Sequence, residues 1–157
     1  MRRGDGNKGS LATEDTEDTE KNQGNGINGD DGPGVNMSDP LTEQIIAAGI
    51  EVHRELGPGL LEAIYEEALC YELSLRGMPF ERQKEVDVLY KDKVIKGQRL
   101  DLLVEGEVIV ELKSVRRFDE IFSAQMLSYL QSTRLKRGLL LNFGQARLVD
   151  GVRRFSL

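Results

Sequence analysis

Three polar residues stand inside segments whose other positions are aliphatic. Asp101 lies within Leu100–Val104, and Glu111 and Lys113 flank Leu112. Residues two apart on a strand point to one face, so Glu111 and Lys113 emerge side by side. Glu105-Gly106-Glu107 between the two segments reads as a hairpin connection. Asp101 then lies opposite Glu111 only in the register that sets Val104 against Val108 around a three-residue loop, 105–107. A slip of one residue would pair Asp101 with Val110 and separate the carboxylates, unless a bulge restored the phase. In the first register two carboxylates and an ammonium share a face. Like charges that close raise one another's pKa unless a cation sits between them. Mg2+ suits such a place: a hard ion held by one or two carboxylates, keeping waters for a substrate phosphate. It would lower the pKa of a bound water and neutralise charge on a scissile phosphate, with Lys113 orienting that water or stabilising the transition state. The plainer reading is a cross-strand salt bridge of Lys113 with Asp101 or Glu111, an ordinary stabiliser of sheets. Spacing alone favours the plainer reading.

These strands need elements to position them. Asp39 as N-cap and Pro40 at the first helical position open a helix whose apolar face is Ile45, Ala48, Val52 and Leu56. Gly57-Pro58-Gly59 stops it. A second helix carries Leu61, Ile64, Ala68, Tyr71 and Leu75 on one stripe and ends at Gly77, with Pro79 beyond. Val86, Val88 and Tyr90 alternate with their neighbours as in a half-buried strand. Leu100–Val104 and Val108–Leu112 are further strands, and Phe118 to Ser132 reads as a helix. Gly138–Phe143 is a short buried strand, and Ala146–Val149 with Val152–Phe155 flank Asp150-Gly151 as a hairpin. The expected fold is an α/β domain, a mixed central sheet of about five strands flanked by helices.

The 157 residues hold 21 Lys+Arg, 27 Asp+Glu, one His and one Cys. One cysteine excludes an internal disulfide framework and a zinc site built on several thiolates of this chain. No apolar run approaches the length that spans a bilayer, and the N-terminus lacks the apolar core of a signal peptide, so no membrane partner and a cytoplasmic setting are expected. The charge is uneven. Residues 1–39 hold 4 basic and 9 acidic residues, a net of −5, leaving 17 against 18 in residues 40–157. That segment also holds 8 of the 17 glycines and no aromatic residue. It reads as a disordered acidic tail, because it cannot bury enough apolar surface to offset the entropy of ordering it. A regulatory arm that mimics nucleic acid is the sharper reading, and a start of translation at Met37 the mundane one. Residues 40–157 then form the one domain.

Asp101 followed after nine residues by Glu111-Leu112-Lys113, on consecutive strands after a helix, resembles the metal site of the PD-(D/E)XK nuclease superfamily. The preceding helix carries Gly59-Leu60-Leu61-Glu62-Ala63-Ile64-Tyr65, similar to the Gly-x-x-Glu-x-x-Tyr signature that names a family within it. Arg99-Leu100-Asp101-Leu102-Leu103-Val104 resembles the same family, and Gln125-x-x-x-Tyr129 resembles the helix motif after the active site in RecB-type members. The likeness spans residues 42–153. Leu100 stands where the superfamily's name puts a proline. The resemblance implies a restriction-endonuclease-like core in which Asp101 and Glu111 are metal ligands and Lys113 is the catalytic lysine. Glu62 completes the site as a ligand or through water, while Gln125 and Tyr129 shape it or position a phosphate.

Plainer roles exist for several of these. Glu62 fits the dipole of a helix N-terminus, and Tyr65 a half-buried aromatic. Gln125 and Tyr129 fit a satisfied hydrogen-bonded patch under the sheet. His53 fits a helix-terminal histidine rather than one near the metal, and Cys70 a small core residue. Local clusters at Arg116-Arg117, Arg134-x-Lys136-Arg137 and Arg153-Arg154 permit phosphate contact despite the acidic total. The expectation is a Mg2+-dependent nuclease, with Mn2+ as a substitute, that hydrolyses phosphodiesters of DNA rather than RNA. A protein partner could supply specificity, and a homodimer would suit a double-strand cutter. The rival is a non-catalytic or partner-dependent binding module that keeps the fold. A P-loop enzyme is disfavoured, since no Gly-rich phosphate loop is present.

Overall fold

The computed structural model describes residues 39–157; the expectations for the acidic tail and for Met37 lie outside the described residues, apart from Asp39. Asp39 caps the first helix, α1 (Pro40–Leu56): its Oδ1 accepts from the Leu41 N–H at 3.1 Å. Its Oδ2 accepts from Arg137 Nη1 at 2.6 Å, tying the helix start to the sheet. Then follow α2 (Glu62–Leu75), β1 (Phe80–Tyr90), β2 (Lys93–Val104), β3 (Val108–Lys113), α3 (Glu120–Thr133) and β4 (Arg137–Asn142). A 3-10 turn (Leu148–Gly151) leads into β5 (Val152–Ser156).

The strands form one five-stranded sheet in the order β1-β2-β3-β4-β5. β3 and β4 are parallel, joined by the α3 crossover, and every other neighbouring pair is antiparallel. Side-chain alternation splits the core into two layers. Leu102, Val104, Val108, Val110, Leu112, Leu139 and Leu141 pack against Ile45, Ala48 and Val52 of α1 and Tyr65, Leu69 and Leu73 of α2. On the other face Leu103 and Ile109 meet Met126, Tyr129 and Leu130 of α3. The expected mixed α/β fold is what forms.

Three local expectations need correction. α2 buries Tyr65, Leu69, Cys70 and Leu73, whereas Leu61, Ile64, Tyr71 and Leu75 are exposed. The helix is apolar on two stripes, and contact with α1 and the sheet selects the one at i, i+4, i+8. Leu56 is exposed as well, beyond the reach of the α1 packing surface. Finally, Asp150-Gly151 does not turn a hairpin. Leu148 dives into the α1-side core, the chain takes a 3-10 turn, and β5 pairs with β4. Gly151 serves close approach instead, since a Cβ there would stand 2.3 Å from the Asn142 carbonyl oxygen.

Because the Asp39 carboxylate both caps α1 and grips Arg137, Asp39→Ala is expected to lower stability by about 1–2 kcal/mol in urea unfolding. Asp39→Asn, an equally good cap, is expected to lose less. Equal losses for the two variants would mean that the Arg137 contact, not the cap, carries the effect.

Candidate active site

Asp101 and Glu111 meet where the backbone ladder between β2 and β3 ends. Pairing runs from Val104↔Val108 to Leu102↔Val110, the register that aligns the two carboxylates. One step further, side chains replace the ladder. The Asp101 N–H donates to Glu111 Oε1 at 3.0 Å, and the Leu112 N–H donates to Asp101 Oδ2 at 2.9 Å. Each carboxylate thus takes over a backbone donor of the opposite strand.

The other flank of β2 is interrupted at the same level. Gln83 has a left-handed backbone (φ 48), and the β1–β2 pairing passes from Arg82↔Leu102 to Lys84↔Leu100, leaving out Gln83 and Asp101. Alternation breaks there: Leu100 joins the α3-side core while Leu102, two residues on, joins the opposite one. The break turns Asp101 toward Glu111. Gln83 then uses its side chain as a strut, its Nε2 donating to Glu66 Oε2 at 2.9 Å and lying 3.5 Å from Asp101 Oδ1. Arg82 holds Glu66 from the other side at 3.1 Å.

Glu62 arrives from α2, whose start is set by Tyr65. The Tyr65 hydroxyl donates to the Gly57 carbonyl at 2.5 Å and accepts from the Leu60 N–H at 3.1 Å. Its ring is fully buried and stacks on Phe143, centroids 4.5 Å apart. The Leu60 carbonyl in turn accepts from Ser114 Oγ at 2.7 Å, joining this loop to the end of β3 just past Lys113. Gly59 has φ +99, a conformation open to glycine and strained for other residues. Gly59, Glu62 and Tyr65 therefore form one device that delivers a carboxylate to the strand ends.

The electrostatics show that these groups share one field. Burial pushes the Glu111 carboxyl up to about 8, and the adjacent Asp101 charge adds to it. The Glu62 carboxyl is raised by burial, with Asp101 and Glu66 adding and Lys113 opposing. Tyr129 is pushed up to about 12, by burial first and then by the Glu111 and Asp101 charges. Lys113 makes no ion pair with any carboxylate among the described residues, so the cross-strand salt bridge is not formed. Its ammonium lies over the Phe122 ring instead, 4.9 Å from the centroid.

Gln125 and Tyr129 form the floor. Gln125 Nε2 donates to the Tyr129 hydroxyl at 2.8 Å, and that hydroxyl donates to the Arg99 carbonyl at 3.0 Å. Their polar atoms are engaged with one another and the β2 backbone, which fixes the strand just before Asp101. His53 stands apart: it is buried, its Nε2 lies 2.8 Å from the Gln145 carbonyl, and it stacks near Phe143. Cys70 is a core thiol that burial raises to about 11. Sequence reasoning missed Glu66 and Gln83. Glu66 had a signal, standing four residues after Glu62 on the same helical face. Gln83 had none, because its role depends on a backbone conformation unusual within a strand.

A divalent cation suits the donors present. They are hard oxygens, and Asp101 and Glu111 press two carboxylates together with one of them buried. Among the described residues no three His, Cys, Asp or Glu side chains form a ready cage. Asp101 and Glu111 are brought together, and Glu62 does not close a three-carboxylate cluster with them.

In metal-free protein the pair opposes folding, with a definite sign. A carboxyl whose folded pKa stands near 8 favours the fold below its unfolded value of about 4.3 and loses that contribution as pH rises toward 8. Glu111→Gln is therefore expected to gain stability over the parent progressively between pH 5 and pH 8 in EDTA, with no further gain above about pH 9. Thermal melts across that range are the check. A difference independent of pH would exclude Glu111 ionisation as the cause.

No curated protein and no solved structure gives a match. A family model described as the PD-(D/E)XK nuclease superfamily matches residues 39–155. The matched region runs from the Asp39 cap to Phe155 in β5 and takes in the carboxylate pair, Lys113 and both helical layers; the chain belongs to the PD-(D/E)XK nuclease superfamily.

Proposed function

We propose that this protein is a Mg2+-dependent nuclease of the Gly-x-x-Glu-x-x-Tyr group, RecB-like in its α3 motif, acting on DNA in preference to RNA. One observation carries the reading. Lys113 holds its ammonium over Phe122 rather than in an ion pair, while the buried Glu111 carboxyl and the half-buried Asp101 carboxylate are pressed together beside it. A structural salt bridge would instead have drawn Lys113 onto one of the two. Nucleases of this superfamily generally use divalent metal ions, which neutralise charge on the phosphate and acidify a bound water. Asp101 and Glu111 would hold the ion, with Glu62 reaching it directly or through water.

Lys113 would donate to a non-bridging phosphate oxygen or hold the attacking water, since its cation–π perch on Phe122 orients the ammonium while leaving its N–H groups free. Gln125 and Tyr129 would act through β2, keeping Asp101 at its level. The support for the Gly-x-x-Glu-x-x-Tyr assignment is that Gly59 and Tyr65 each have a separate mechanical part in presenting Glu62.

Calorimetric titration with Mg2+ and Mn2+ is the direct test, on the full chain beside Asp101→Ala and Glu111→Ala. Heat in the parent that disappears in both variants is expected. Lys113→Ala should keep metal binding and lose at least 100-fold of any Mg2+-dependent cleavage of a DNA duplex or single strand, the scale of losing one transition-state donor. RNA cleaved faster than DNA would correct the substrate. Nucleic-acid binding by parent and Lys113→Ala alike, with cleavage by neither, would favour a binding module that keeps the fold.

A further inference from the structure

The cations of the described residues divide into two sets. Arg54, Arg76, Arg82, Lys84, Lys96, Arg99, Arg137, Arg147 and Arg154 each meet a carboxylate. The others meet none among the described residues: Lys91 and Lys93 at the β1–β2 turn, Arg134 and Lys136 at the α3–β4 turn, and a third group of Lys113, Arg116, Arg117 and Arg153, the three arginines of which are exposed. Aromatic contacts set the third group apart. Arg153 lies over the Phe118 ring, its Cζ 5.2 Å from the centroid. Phe118 packs edge-to-face on Phe122 at 5.8 Å, and Phe122 carries Lys113 at 4.9 Å. Arg116 and Arg117 immediately precede Phe118. A ledge of two phenylalanine rings, with Lys113 at one end and Arg153 at the other, therefore joins the end of β3 to β5, and the exposed Arg116 and Arg117 lead into it along the chain.

The ledge is held in place. Buried Asn142 accepts at Oδ1 from the Val115 N–H and the Gly144 N–H, both at 3.0 Å, and its Nδ2 donates to the Val115 carbonyl at 2.9 Å. Gln145 Nε2 donates to the Arg116 carbonyl at 3.1 Å. Gly144 allows the two loops to touch, since a Cβ there would stand 2.3 Å from the Val115 carbonyl oxygen. A buried asparagine spent on anchoring an exposed basic loop gives the loop a fixed shape, which lowers the ordering cost of binding.

We infer that the Arg116-Arg117-Phe118-Arg153 ledge is the track for the nucleic-acid strand entering or leaving the Lys113 site. Guanidinium groups outside ion pairs take phosphates; Arg153 gives one donor to the Val152 carbonyl at 3.1 Å and keeps the rest, and its place over Phe118 lets an unpaired base stack beside it. The inference rests on the nuclease reading and deepens it, by placing the strand across α3's start and β5 rather than along the β1–β2 hairpin.

The test reads binding rather than cleavage. Fluorescein-labelled 20-nucleotide single-stranded DNA, the same sequence as RNA, and the DNA duplex are titrated with full-length protein in EDTA from 50 to 200 mM KCl, by anisotropy. The triple variant Arg116→Gln/Arg117→Gln/Arg153→Gln is expected to bind the single strands at least tenfold more weakly at 50 mM. Its slope of log affinity against log salt should be shallower by about two, at roughly 0.7 per lost phosphate contact. Arg134→Gln/Lys136→Gln, which removes unpaired cations at the α3–β4 turn, should change neither. Melting curves verify that the exposed substitutions leave the fold intact. A triple variant that binds like the parent would overturn the ledge and leave the nuclease reading standing. A parent that binds none of the probes would overturn both, and a loss seen only on the duplex would replace the single-strand track by a double-helical one.

Discussion

Everything at the site depends on the point where β2 and β3 stop pairing through their backbones and pair through carboxylates. Two strands that diverge leave N–H groups without partners, and unpaired buried donors cost about as much as a lost hydrogen bond. Here Asp101 and Glu111 fill both deficits reciprocally, at 3.0 and 2.9 Å. The solution fixes both side chains against the opposite backbone, and it also forces two negative groups together. Burial is the first cause of the upward push on Glu111 and the neighbouring Asp101 charge adds to it; a cation held there would relieve both. A core optimised for stability alone would have placed an amide there.

Supporting contacts converge on this point from both layers. On the α3 side, Gln125 and Tyr129 tie down the Arg99 carbonyl, two residues before Asp101. On the α2 side, the Tyr65 hydroxyl shapes the loop from Gly57 to Leu60, and Ser114 fastens that loop to the end of β3. The Tyr65–Phe143–His53 stack then links α2 through the segment after β4 to α1. His53 is thus a structural member whose Nε2–H donates to the Gln145 carbonyl and steadies the same segment that holds the Arg116 loop.

The sequence was legible where local chemistry and topology agree. The Asp39-Pro40 start, the Glu105–Glu107 turn and the β2–β3 register follow from capping, turn chemistry and period-two burial, and all three appear as expected. The α2 face was not legible, because two apolar stripes compete on that helix and packing chooses between them. Asp150-Gly151 misled for a related reason: glycine answers both a turn that needs positive φ and a backbone that approaches closely, and only the fold tells which. At the site, the residues of the Asp-Glu-x-Lys pattern could be named from spacing, while Gln83 could not. Its contribution arises from a left-handed residue inside a strand, which no side-chain pattern announces.

Net charge is a poor guide to the partner of such a chain. The full sequence carries −6, a value that argues against polyanion binding if charge is summed. Phosphates respond to cations within about a Debye length, some 8–10 Å at working salt. Most arginines here are already neutralised inside the protein: Arg82 by Glu66 and Glu67, Arg137 by Asp39 and Glu107, Arg154 by Glu43. Such pairs contribute little field outside the molecule. Subtracting them leaves a small set of available cations, among which Lys113, Arg116, Arg117 and Arg153 are joined by two aromatic rings. The acidic total therefore coexists with a locally positive approach to the carboxylates, because the field a phosphate meets is set by the unpaired cations within a Debye length and not by the sum over the chain.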